Sequence, residues 1–209
     1  MEGAALQLLV LAVGKDAPDK RDISVSMRKA NVYGLALLPP VALICGTYLW
    51  IWDFERLAAA TEFESLLSVF LVWFVAIPTT FVAGVVVHEL LHGFSFLYIG
   101  GASRESVTLI GFQRETATPY SACSEPLRAG GYRWTIAMPG LVLGILPVAE
   151  GLITGNPWAM FFRVFFLLAA SGDAVILWLL RGAPANALVE DHPTRAGCYV
   201  IPPEQTRTG

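Results

Sequence analysis

The chain has 209 residues, 55% hydrophobic and only 15% charged, with a formal net charge of -3 and a mean hydropathy of +0.58. A soluble domain of ordinary composition has about a quarter of its residues charged, so an apolar excess gathered in blocks points to membrane spans. The small net charge, with no basic run interleaved with aromatics, argues against a nucleic-acid partner.

The chain opens MEGAALQLLVLAVGKD, an acidic start followed by a short apolar run. It lacks the basic n-region of a secretory signal peptide and is shorter than the about 20 residues that cross a bilayer. It reads as a strand or buried segment of a small cytosolic layer. Residues 1–31 are expected as a cytoplasmic segment and 32–201 as a membrane-embedded domain. Four blocks have the length and apolarity of spans: residues 32–52, 66–99, 136–154 and 158–180. The second is longer than one crossing requires. Either it tilts and bends at Pro78, or its last turns leave the lipid and pack against protein. Trp50, Trp52, Trp134 and Trp158 fall near block ends, where an interfacial aromatic belt places them. The expected fold is an all-α membrane protein of about four transmembrane helices with a small cytoplasmic β-hairpin.

Loop charges orient the spans. Lys15, Lys20, Arg21, Arg28 and Lys29 precede the first block, whereas DFERLAAATEFES sets Arg56 against four acidic residues. Arg104, Arg114, Arg128 and Arg133 lie between the second and third blocks, TGNPW has no charge, and Arg181 and Arg195 follow the fourth. The positive-inside rule therefore places both termini and the 100–133 loop in the cytoplasm of a multi-pass cell-membrane protein. Within that loop, ESVTLIGFQRETATPYSA, with Gly111 among β-branched and apolar residues, predicts a short hairpin. The tail PPEQTRTG has the composition of a disordered terminus. Cys45, Cys123 and Cys198 are odd in number and form no C-x-x-C pair, so three free thiols are expected.

Inside the second block sits VVVHELLHGFSF, residues 85–96, with His88, Glu89 and His92 spaced H-E-x-x-H. Residues four apart share one helix face, so the two imidazoles aim at one point, two-thirds of a zinc site. Glu89 is placed to reach a water acidified by that zinc, whose pKa falls to about 7. Two of the chain's three histidines stand here, at a depth where an unpaired polar group is costly. A catalytic zinc site takes a third protein ligand and leaves a fourth position open. The acidic candidates within the blocks are Glu150 and Asp173. Asp173 lies toward the same cytoplasmic end as the motif and follows Ser171 and Gly172, small residues that permit close helix approach. Glu150 lies toward the opposite interface, where it and Arg163 are expected to snorkel. Asp191 and His192, in VEDHPTRAG, are expected in a turn before Pro193. No G-x-S-x-G elbow, P-loop or dinucleotide fingerprint is present.

HELLHGFSFLYIGG, PYSACSEPLRAGGYRWTIAMPGLVLGILP, SGDAVILWLL and VEDHPTRAGCYV resemble the successive blocks of the putative zincin peptidase family of small integral-membrane proteins. Its architecture is similar to that of the site-2 proteases, which cleave substrate helices within the bilayer. The resemblance covers about residues 81–201, with the SMRKANVYG approach to the first span. It implies zinc ligation by His88, His92 and Asp173, with Glu89 as catalytic base. The S-G-D context of Asp173 differs from the N-P-D-G or L-D-G usual in site-2 proteases.

The expected function is a zinc-dependent intramembrane endopeptidase acting on membrane proteins or peptides near the cytoplasmic interface. The 100–133 hairpin would receive the substrate as an added strand. The alternative is a non-enzymatic membrane scaffold or partner-binding protein whose metal only staples helices; a fourth protein ligand, Cys123 or His192, would mark it. A metal transporter needs a polar path that these spans do not supply.

Overall fold

The computed structural model describes residues 20–59, 62–113 and 118–203. The strand expected at the N-terminus and the tail beyond Pro203 lie outside the described residues.

Among the described residues, three helices are long and apolar enough to cross a membrane: α1 (Met27–Trp52), α3 (Leu66–Tyr98) and α4 (Ala129–Thr154). A fourth crossing is made if α5 (Pro157–Ala169) and α6 (Ser171–Leu180) count as one span bent by 40°. The short α2 (Phe54–Ala59) links the first two. Large apolar side chains face outward, with Leu66 at 88%, Trp50 at 83% and Ile153 at 75% exposure. A protein that turns such faces outward is a membrane protein.

Helix boundaries follow their caps. Ser26 accepts the Lys29 N–H, so α1 begins five residues before the apolar block. Ser65 and Ser68 form a capping box at the start of α3. Asn156 accepts the Ala159 N–H at the head of α5, and Gly155 before it takes φ 67°, the left-handed conformation that ends α4. Proline shapes the interiors. In α3 a π-turn spans Leu71–Ala76, around the Phe74 carbonyl that the Pro78 ring would strike; α4 repeats the device at Gly140–Ile145, ahead of Pro147. The second block is therefore one 33-residue helix, widened rather than broken at its proline. At about 1.5 Å per residue it is some 50 Å long, well beyond the ~30 Å hydrocarbon core.

The fourth block divides at Ala170 into α5 and α6. This bend gives Asp173 a helix N-terminus of its own: it stands in the first turn of α6, where the helix dipole favours an anion.

Strands β2 (Val107–Gln113) and β3 (Thr118–Cys123) form the expected hairpin, antiparallel with a bulge between Thr108 and Gly111. It lies against α3. Gly93 leaves room for Leu109, whose carbonyl oxygen a Cβ would meet at 2.9 Å, while Ile110, Phe112 and Pro119 share a groove with Phe81 and Val85. The hairpin thus follows α3 for about 18 Å at 1.5 Å per residue, alongside the span rather than clear of it. A second sheet, in the order β1-β6-β5-β4, is antiparallel throughout. Its strands are Arg21–Asp22 (β1), Leu127–Arg128 (β4), Leu188–Asp191 (β5) and Cys198–Ile201 (β6). Asp191, expected with His192 in a turn before Pro193, is instead the last residue of β5; His192 does lie in the turn between β5 and β6. The sheet buries Leu127, Val189, Cys198 and Val200 against Phe96, Tyr132 and Leu180, which ties one end of α3, α4 and α6 together.

At the other end, Tyr48 Oη donates to the Gly155 carbonyl at 2.9 Å and Trp52 Nε1 to that of Leu152 at 2.8 Å. Here too Arg163 and Glu150 form an ion pair across α4 and α5. Each was expected to snorkel alone.

Candidate metal centre

On α3, His88 and His92 fall on one face with ring centroids 5.0 Å apart. Asp173 of α6 meets both. Its Oδ2 is 3.3 Å from His88 Nε2, and its Oδ1 is 3.4 Å from His92 Nε2. The side chains are only 12%, 16% and 9% exposed for His88, Asp173 and His92.

The His92 tautomer follows from its second nitrogen. Nδ1 lies 3.1 Å from the Thr135 carbonyl oxygen, which can only accept, so Nδ1 carries the proton and Nε2 presents a lone pair. That carbonyl is free because Pro139, the residue that would close the helical bond four positions on, has no N–H. The proline of the M-P-G block thus orients a histidine on a neighbouring helix.

A lone pair on His92 Nε2 faces a carboxylate oxygen, and Asp173 Oδ2 is buried with no hydrogen-bond partner. Acceptors turned on one another in a buried place need a proton or a metal ion between them. Two ligands about 2.05 Å from a tetrahedral zinc lie about 3.3–3.4 Å apart, which is the spacing found here. Ligand atoms from all three side chains lie within 4.8 Å of one another. Among the described residues this is the group able to hold a metal ion.

Other acidic and thiol groups lie elsewhere or are engaged. Glu150 pairs with Arg163. Cys123 Sγ donates to the Glu125 carbonyl at 3.5 Å. His192 stacks on Tyr199 with centroids 4.9 Å apart and accepts the Thr194 and Arg195 N–H groups through Nδ1. Neither Cys123 nor His192 supplies a fourth ligand, so among the described residues the cluster has the three-ligand form of an open site. Burial raises the Cys123 thiol and pushes that of Cys198 to about 12; both are inert thiols.

Glu89 stands beside the cluster, its Oε2 accepting the Ser121 N–H of β3 at 2.8 Å. A cleft of about 490 Å³ joins Glu89 and the three cluster residues to Asn31, Tyr120, Ser121, Tyr132, Asp191 and Arg195. Ser121, Thr135 and Tyr132 were not singled out in the sequence; of these, only Thr135 had a legible signal, the proline four residues on. Asp191 lies in this cleft as an accessible side chain on β5, not in the metal-binding group. Although one side of it is open to the cleft, the protein packed around it strips away hydration, and this burial raises its carboxyl above the ordinary value against the donation it receives from Tyr132.

A family described as putative zincin peptidase matches residues 81–188, just over half of the chain and the whole of the cluster. No curated protein and no solved structure gives a match.

Proposed function

The chain belongs to the putative zincin peptidase family, and so to the zinc metallopeptidases; on that premise we propose that it is an intramembrane endopeptidase whose zinc is held by His88, His92 and Asp173. The observation that carries this reading is the convergence of both Nε2 atoms on the buried Asp173 carboxylate. Zinc, when bound, supplies Lewis-acid polarisation of the scissile carbonyl and acidifies the attacking water.

The chain's own residues do the rest. The Ser121 N–H fixes one oxygen of Glu89, leaving the carboxylate to take a proton from the attacking water. As the water oxygen bonds to the carbonyl carbon and the C–N bond breaks, Glu89 returns that proton to the leaving amine. A carboxylic acid and an amine result. Thr135 keeps His92 in the tautomer that offers Nε2, a neighbour's effect that sets ligand orientation and basicity.

Substrate reaches this cleft as an extended strand. Among the described residues β2 and β3 pair only with one another, and β3 brings Tyr120 and Ser121 into the cleft, so its outer edge beside Glu89, apart from the Ser121 N–H that Glu89 accepts, is offered to strand addition. A membrane-spanning substrate must unwind locally to offer such a strand. The site lies in the last third of α3, the end that loop charges place at the cytoplasmic interface, where water has access.

Glu89→Gln tests the mechanism. The variant is expected to retain zinc and to lose cleavage of a reconstituted membrane substrate. A variant that cleaves as fast as the parent removes Glu89 from the reaction.

A further inference from the structure

Asp191 is a carboxylate in the cleft that the peptidase chemistry leaves unused. It ends β5, and one of its oxygens accepts the hydroxyl proton of Tyr132, a side chain only 2% exposed at the base of α4. A donor so rigidly held keeps the carboxylate in place and offsets part of the burial that raises its carboxyl. Among the described residues no lysine or arginine pairs with it. Arg195, the cationic residue of the cleft lining, directs its guanidinium to the Ser24 carbonyl at 3.2 Å. Lys20 takes the neighbouring Glu190 instead, at 2.5 Å. The cleft therefore holds an accessible carboxylate next to the metal cluster, with a fixed hydrogen-bond donor behind it and, among the described residues, no lysine or arginine paired with it.

We propose that Asp191 is a specificity-determining residue that receives a lysine or arginine side chain of the substrate beside the scissile bond. This rests on the reading of the cleft as a peptidase site and names the substrate class for it. β5 begins eight residues beyond the end of α6, so Asp191 sits where the spans emerge, on the face that carries this chain's own basic segments. Substrate spans place lysine and arginine at the same level. A side chain that extends along the membrane surface into the cleft brings its cation to Asp191 while the backbone lies along β3.

The test is a binding measurement. Zinc-loaded Glu89→Gln protein in detergent is titrated with N-acetylated fluorescent peptides that differ only in lysine or norleucine at one position, walked along the sequence. Neutralising Glu89 removes it as the source of any charge preference, and acetylation removes the terminal ammonium. At one register the lysine peptide should bind about two- to fivefold more tightly, an advantage that shrinks as salt rises. In Glu89→Gln/Asp191→Asn the advantage should vanish. Equal binding at every register overturns the proposal, as does a preference that survives Asp191→Asn. If that double variant loses zinc, Asp191→Ser, which still accepts from Tyr132, carries the same comparison. Cleavage by the parent protein is read separately. Preference without cleavage sinks the peptidase reading and leaves Asp191 as a cation site; cleavage without preference does the reverse.

Discussion

The Thr135 carbonyl accepts from His92 Nδ1 at 3.1 Å because Pro139, four residues on, has no N–H to give it. A hydrogen-bond vacancy in one helix thereby sets the proton position of a ring on another. Pro139→Ala restores the competing donor. Zinc affinity, measured by competition with a chromogenic chelator, should fall about tenfold or more, the usual effect of disturbing a ligand's supporting partner. Unchanged affinity would detach Thr135 from the site.

The Ser121 N–H donates to Glu89 at 2.8 Å. Ser121→Pro deletes that donor, whereas Ser121→Ala keeps it. Hydrogen bonds to charged groups are worth about 1.5–3 kcal/mol, so kcat/KM should drop roughly 10- to 100-fold for the proline variant, with zinc retained. If alanine and proline variants lose activity equally, the side chain rather than the backbone is responsible.

Gly93 marks a close approach of the hairpin to α3, where a Cβ would meet the Leu109 backbone oxygen at 2.9 Å and its Cα at 3.0 Å. Backbone cannot swing aside as a side-chain tip can. Gly93→Ala should cost about 1–3 kcal/mol, the range of core overpacking, and lower the melting temperature in detergent. It should also displace Ser121 from Glu89, so activity falls beyond what stability explains.

Glu125 holds the loop after α3 through Ser103, accepting its N–H at 2.7 Å and its hydroxyl at 3.1 Å. These bonds lower the carboxyl below its ordinary value. A carboxyl lowered on folding contributes stability above its unfolded pKa and loses it as pH falls through the folded one. Protection of the Ser103 amide against hydrogen exchange should therefore decline on acidification, and Glu125→Gln should flatten that decline. An equally steep decline in the variant assigns it to another group.

Long features were legible in the sequence. Four apolar blocks anticipated three helices long enough to cross a membrane and the bent pair that can make a fourth crossing, and the His88–His92 spacing on one helix face required only helical periodicity. Asp173 was reachable by comparing depths along the spans, because Glu150 lies at the other end. Short features built from distant pieces were not. The four-stranded sheet draws strands of two to four residues from four separate stretches, each too brief to carry a pattern. The break at Ala170 has no proline or glycine at the bend itself, yet it gives Asp173 its helix terminus. Arg163 and Glu150 each looked self-sufficient, since a snorkelling side chain and a paired one share the same sequence environment.

Zinc content of the purified protein, measured beside His88→Ala, His92→Ala and Asp173→Ala, tests the three-residue cage most directly. The parent should hold one zinc per chain, and each substitution should abolish tight binding while Glu89→Gln keeps it. A parent without stoichiometric zinc, or an Asp173→Ala protein that binds it as tightly, would contradict the account.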